Sequence, residues 1–227
     1  MNAIARRQKH KAELKNQILE AARQIFVRDG YENFSMRKLA KQIEYSPGSI
    51  YLHFTNKEHL FESLVEESFE RLRKVVSGIQ NGHAHLDPVE SLKKGLRAYV
   101  DFGLHNPNDY RFAFMLRRPV QKRPYQVHPV FGVLRHMVGR CVEEKRFRAV
   151  DVESTSQALW ATIHGITSLL IQRPTFPWVG HKELIGQVIN NAVDSLVVMP
   201  GSEEATAGVR HAQLSRVPEN STARSRS

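Results

Sequence analysis

The chain has 227 residues, enough for one domain or two small ones with a buried core, and a formal net charge of +10. That charge favours a polyanionic partner, either nucleic acid or an anionic membrane surface. The single cysteine, Cys141, excludes an intramolecular disulfide, no apolar run is long enough to span a bilayer, and the basic start (MNAIARRQKHK) has no apolar core behind it to make a secretory signal, so a cytoplasmic protein is expected.

Residues 1–12 read as a basic disordered arm, with Arg6, Arg7, Lys9 and Lys11 unopposed. It is either a solvated tail or an arm that touches phosphates or the minor groove. A helix begins at Leu14 with Ile18, Ala21, Ala22, Ile25 and Phe26 on one face, and Asp29-Gly30 ends it. Ser35 can cap a second helix carrying Leu39, Ala40 and Ile43 at helical spacing. Glu44-Tyr45 breaks that pattern. Ser46 caps a third, short helix with Pro47 at its first position, where a missing N–H costs nothing. Ile50 and Phe54 form an inward i, i+4 pair, which leaves Ser49, Tyr51, Leu52 and His53 on the outer faces. Thr55 and Glu58 read as a capping box for a helix starting at about Asn56. Helix, tight turn and short helix with an outward polar and aromatic face make a helix-turn-helix, so residues 13–60 are expected to form a three-helix DNA-binding domain.

From Asn56 one apolar stripe (Leu60, Phe61, Leu64, Val65, Phe69, Leu72, Val75, Val76, Ile79) runs along a single long helix. Its first turn belongs to the DNA-binding domain and its last turns to the next domain, so it can pass a tilt between them. Asp87, Pro88 and Glu90 start the next helix, which stops at Asn106-Pro107. Asp109 to Arg117 reads as a short aromatic helix, Arg117 to Pro129 as a surface loop, and His128 to Phe147 as a helix. Ala158 to Ile171 contains no Asp, Glu, Lys or Arg, and a helix apolar nearly all round must be covered on both sides. With a last helix, Lys182 to Val198, it would form a four-helix interface between two subunits, with Ile166 and Ile189 inside it. Residues 61–199 are thus expected to be a helical ligand-binding and dimerisation domain, and 200–227, poor in large apolar groups, a disordered tail. The fold class is all-α; no β pattern and no internal repeat emerges.

The run Leu39-Ala40, Ser46-Pro47-Gly48-Ser49-Ile50-Tyr51, His53-Phe54, Asn56-Lys57-Glu58 and Leu60 resembles the DNA-binding domain of the TetR family of bacterial transcriptional regulators. The family often has Gly where this chain has Glu44, so Glu44 must tolerate a turn conformation that glycine takes more easily. Trp160-x-x-x-His164-Gly165 resembles the Trp-His-Gly pattern of one class of the family's carboxy-terminal domains. The resemblance implies a homodimeric, ligand-responsive regulator, most simply a repressor released from a pseudo-palindromic double-stranded operator by a small-molecule effector. The alternative is a DNA-binding regulator controlled by a protein partner with no ligand, and a cavity would separate the two.

By chemistry, Ser35, Tyr51, His53 and Lys57 carry donors suited to phosphate oxygens, a role the resemblance also implies for them. Pro47, Gly48, Ser49 and Leu52, behind the capping Ser46, lie where they could meet base edges; Tyr51 could instead pack as a partly buried ring. Candidate pocket walls are Tyr99, Phe102, Tyr110, Phe114, Phe131, Met137, Trp160 and His164, because effector pockets are mostly apolar with a few polar groups. Each could equally fill core, and His164 could be a hydrogen-bonded core histidine. Cys141 lies on an apolar face and reads as inert core. His83, His85 and Asp87 lack a further ligand for zinc, so no metal or cofactor is expected. No nucleophile elbow, phosphate-cradling glycine loop or metal-protease motif occurs, and no enzymatic activity is expected.

Overall fold

A computed structural model describes residues 3–82, 86–116 and 127–198. Helix α1 runs from Ala3 to Asp29, so residues 3–12 are helical rather than an irregular arm. Ala, Arg, Gln, Lys and Glu are strong helix formers, nothing between Ala3 and Leu14 breaks the turn, and Lys9 and Glu13 pair at 3.9 Å across one turn. Gly30, at φ 78°, ends the helix with its N–H on the Phe26 carbonyl at 2.9 Å. Helix α2 (Met36–Gln42) is capped by Ser35, whose hydroxyl oxygen accepts from the Lys38 N–H at 3.1 Å. Helix α3 (Pro47–Tyr51) is capped by Ser46, which accepts from the Ser49 N–H at 3.2 Å.

Helix α4 (Lys57–Gly82) is capped by Asn56 rather than Thr55. The Asn56 carboxamide oxygen accepts from the His59 N–H at 2.8 Å, while the Thr55 N–H reaches back to His59 Nδ1 at 3.3 Å. The reciprocal cap is therefore shifted by one residue, with His59 in place of Glu58. Helix α5 (Pro88–His105) starts at Asp87, which accepts from the Val89 and Glu90 N–H groups at 2.9 and 3.3 Å. A single turn, α6 (Pro107–Tyr110), leads into a π-helical turn, Arg111–Met115. Helix α7 (Pro129–Glu143) ends before the expected Phe147, because Lys145 takes φ 54° and turns the chain. Helix α8 (Val152–Gln172) begins earlier than its uncharged stretch, at an Asp151 cap on the Ser154 N–H. Helix α9 (His181–Asp194) stops short of Val198, and Val197 instead forms an antiparallel bridge with Phe147. That bridge is the only β pairing among the described residues. The 1–2, 83–85 and 117–126 segments, most of the expected surface loop included, and the expected tail at 200–227 lie outside the described residues, as do His83 and His85.

Two apolar cores share α4. The first joins Leu14, Ile18, Ile25, Phe26, Phe34, Leu39, Ile50, Phe54 and the α4 residues from Leu60 to Phe69, and it also takes in Phe112 and Ala113 from the π turn. The second begins on α4 at Leu72 and Val76 and is closed by α5, α7, α8 and α9. Ile166 and Ile189, expected in a subunit interface, are buried in this second core of their own chain. No described helix is long and apolar enough to cross a membrane.

Candidate DNA-binding face and effector cavity

Helix α3 owes its exposure to its shortness. Ile50 and Phe54 anchor it inward at 0% and 1% exposure, and the rest of a five-residue helix has nowhere to pack. Leu52 is 81% and Tyr51 51% exposed, so the Tyr51 side chain is about half open to solvent. Pro47, Gly48 and Ser46 are exposed beside them, and Ser49 is half-buried with its hydroxyl 3.0 Å from that of Ser46. A Cβ on Gly48 would meet only the Ser46 hydroxyl at 3.6 Å, so the fold itself does not demand glycine there. Ser35 and Ser46 use their oxygens as caps and keep an O–H to donate. Lys57 holds its ammonium 4.1 Å over the Tyr31 ring at the start of α4. His53 is half-buried, and burial, then Lys11 and Lys15 of α1, hold its imidazole below the usual histidine range. The basic start of α1 therefore lies on the α3 side of the domain, with Arg6, Arg7, Lys9 and Lys11 all exposed.

The second core contains a cavity of about 480 Å³ between α4, α5, α7 and α8. Of the expected wall residues, Tyr99, Phe114, Phe131, Met137 and Trp160 line it. Phe102, Tyr110 and His164 do not: Phe102 and Tyr110 are buried in the core, and His164 lies behind the wall. Trp160 can only donate, and its Nε1 is 3.2 Å from the Tyr99 hydroxyl. Tyr99 donates its own O–H to the Tyr110 oxygen at 3.1 Å, and the Tyr110 hydroxyl donates to His164 Nδ1 at 2.6 Å. His164 then keeps its proton on Nε2, which lies 3.3 Å from Ser168 Oγ. Burial pushes both tyrosines above their usual range and holds His164 below the usual histidine range, so both hydroxyls stay protonated and the imidazole stays neutral. Cys141 is buried in the same core, and burial pushes its thiol up to about 12.

Sequence reasoning missed the polar part of the lining, Glu153, Gln157 and His128, and the α4 floor, Phe69, Leu72 and Val76. The signal was present: Glu153, Gln157 and Trp160 fall at i, i+4 and i+7 behind the Asp151 cap.

The α6 and π-turn segment touches both cores. Phe114 lines the cavity and Tyr110 belongs to the hydrogen-bonded chain that ends on His164. Two residues away, Phe112 sits 5.6 Å from the Phe61 ring, and the Arg23 guanidinium lies 5.6 Å over the Phe112 ring. Asp109 and Arg23, both 4% exposed, form a buried ion pair. Arg23 also reaches Ser68 Oγ at 3.2 Å and Glu67 at 3.0 Å, and Arg71 reaches the second Asp109 oxygen at 3.0 Å. Two residues apart on a helical turn means roughly 200° apart, so Phe112 points into the first core while Phe114 reaches the cavity and packs on both cores.

Residues 18–64 match the model of bacterial regulatory proteins of the tetR family, and residues 92–194 match that of the tetracyclin repressor-like C-terminal domain. The HTH-type transcriptional regulator UidR of Escherichia coli (strain K12) is 33% identical over 104 residues, which cover 41% of this chain and 53% of UidR. The HTH-type transcriptional repressor AcnR of Corynebacterium diphtheriae is 40% identical over 68 residues, covering 30% of this chain and 35% of AcnR. The matches thus span about half the length of the first curated relative and about a third of the second. A bacterial regulatory protein in the tetR family from Rhodococcus RHA1 superposes with a TM-score of 0.65 over 82% of this chain and 97% of its own, at 17% identity, which speaks for the fold alone.

Proposed function

The chain belongs to the TetR family of bacterial regulatory proteins, and from that premise we propose that it is a homodimeric DNA-binding transcriptional repressor released from its operator by a small molecule bound in the cavity, and not an enzyme. The observation that carries this reading is the α6 and π-turn segment, which puts Phe114 in the cavity wall and Asp109 and Phe112 against the DNA-binding unit. A ligand that shifts Phe114 must move or strain a segment locked to α1 and α4, and two recognition helices hold both half-sites only at one separation. The cavity of about 480 Å³ favours a small-molecule effector over control by a protein partner alone. For the dimer, α8 turns outward Ala158, Thr162, Gly165 and Leu169, the last 49% exposed, at the spacing of a helix-packing seam. A Cβ on Gly165 would meet nothing within 4 Å in its own chain, so the small residue suits close approach by a second copy. The Trp160, His164 and Gly165 pattern supports assigning the carboxy-terminal domain to the Trp-His-Gly class.

The test is selection of bound fragments from a genomic DNA pool, which should return a pseudo-palindromic site. Leu52→Ala or Ser49→Ala should then weaken operator binding by about 1–3 kcal/mol per lost base contact while sparing random DNA. Lys57→Ala should weaken both and flatten the salt dependence. If the operator-to-random ratio survives changes within 47–54 and collapses on changing Arg6 and Arg7, the reading of α3 as the recognition helix is wrong.

A further inference from the structure

The cavity is polarised along α8. Glu153, Gln157, Trp160 and Ala161 line it on one stripe of the helix, so a carboxylate, an amide and an indole follow one another inward. Gln157 and Ala161 are exposed and mark the mouth; Phe114, Phe131 and Met137 lie deeper. Apart from the second N–H of the Gln157 amide, the donors on the described wall are already committed. Trp160 Nε1 serves the Tyr99 hydroxyl, the Tyr99 hydroxyl serves Tyr110, and His128 Nε2 lies 3.3 Å from Glu66. What the wall still offers is mainly acceptors. Gln157 uses one of its two amide N–H groups on Glu153 Oε1 at 3.0 Å, and its carbonyl oxygen is left to accept. Glu153 binds Arg135 through its other oxygen at 2.9 Å, but both partners of that pair are about half exposed, so water and salt screen it. Around this acceptor end the rings of Phe131 and Phe114 each stand 6.1 Å from that of Trp160, and aromatic faces attract cations.

Resting on the reading of this cavity as an effector site, we propose that its effector is a lipophilic amine or similar cation with an aromatic body. Its N–H-bearing end lies at Glu153 and Gln157, and its body lies between Trp160, Phe131 and Phe114. A carboxylate ligand of the same shape would face the Glu153 charge with only the second Gln157 N–H on the described wall left to donate to it.

The experiment is calorimetric titration of the full chain, without DNA, with three naphthalene compounds of nearly equal size: naphthylmethylamine, naphthalenemethanol and naphthoate. The amine should bind about tenfold or more tighter than naphthoate, with the alcohol between them. Glu153→Gln should erase the amine's advantage over the alcohol. Arg135→Ala, a change at the surface, should tighten the amine several-fold by freeing the carboxylate. Naphthoate binding as well as the amine, or an amine preference unmoved by both substitutions, overturns the charge assignment while leaving the cavity as an effector site. Failure of all three compounds to bind overturns the proposal and the effector reading together.

Discussion

The two cores are built from similar residues and differ in what surrounds them. In the first, Phe26 stacks on Phe34 at 3.9 Å between ring centres, and Tyr31, Phe61 and Phe112 close over them within 6 Å. In the second, Tyr99, Phe114, Phe131 and Trp160 stand at comparable ring distances but around a cavity. Ring content does not separate the two. The first core is sealed by α1 and the two short helices α2 and α3 wrapped on the start of α4, whereas the second lies between α4, α5, α7, α8 and α9, four of which wall the cavity. The filled core fixes the geometry of α3; the open one has room to answer a ligand.

Truncation should expose that difference most strongly. Phe26→Ala removes a fully buried ring from a filled core and should cost about 3–5 kcal/mol in urea denaturation. Phe131→Ala removes a half-buried ring that already faces empty space and should cost about 1–2 kcal/mol. Equal losses would mean that the second core closes up in solution.

The joint between the cores should be nearly as sensitive. Asp109→Ala leaves Arg23 buried with Glu67, Ser68 and, at 3.7 Å, Glu20 as its remaining partners and should cost about 3 kcal/mol. Operator affinity should fall with it, because α6 no longer grips α1. A variant that keeps its stability would show that the ion pair is solvated and that the joint is looser than its geometry implies.

What could be read from the sequence was what local chemistry decides. The Ser35, Ser46 and Asp87 caps need only a hydroxyl or carboxylate and the next three residues, and the break at Glu44 follows from the end of the α2 pattern. Asn56 and Thr55 are both capable caps, and the choice between them turned on the His59 side chain. The helical start of α1 was obscured because unopposed charge resembles disorder, although its residues favour helix. Periodicity marked Ile166 and Ile189 as buried but could not say against which neighbour. The π turn and the cavity were out of reach altogether, since both arise from how α5, α6 and α8 meet. At that meeting point a Cβ on Gly103 would stand 2.5 Å from Thr167 and 2.8 Å from the Tyr110 ring.

A smaller effect separates the cores by pH. His164 accepts a hydrogen bond only when neutral, and burial lowers its pKa in the folded chain. The unfolded chain therefore takes up a proton first, as pH falls through about 6.5, and stability drops from there toward the lower folded value. Between about pH 7.5 and 5.5 the melting temperature should fall in the natural protein and fall less in His164→Gln, whose carboxamide can accept without titrating. His53, also lowered, is present in both proteins and cancels from the difference. Identical slopes would mean that the Tyr110 contact survives protonation.

The smallest effect lies in the filled core, at its one strained turn. Glu44 takes φ 59° just beyond α2, where its N–H reaches the Lys41 carbonyl at 3.4 Å and the Tyr45 N–H reaches that of Ala40 at 3.0 Å. That pattern of bonds closes a helix with a left-handed residue, the position Gly30 fills after α1. A residue with a Cβ pays about 1–2 kcal/mol there, and glycine gives back part of the difference through its freer unfolded chain. Glu44→Gly should therefore stabilise the protein by about 0.5–1 kcal/mol in urea denaturation. Because Glu44 is exposed in the turn that leads into α3, removing its charge should also tighten binding to operator and random DNA alike. Lys145 takes φ 54° after α7, so Lys145→Gly should match the stability gain without changing DNA affinity. If only Lys145→Gly stabilises, the turn between α2 and α3 is held open by contacts of the Glu44 side chain, and the filled core carries less strain than its backbone implies.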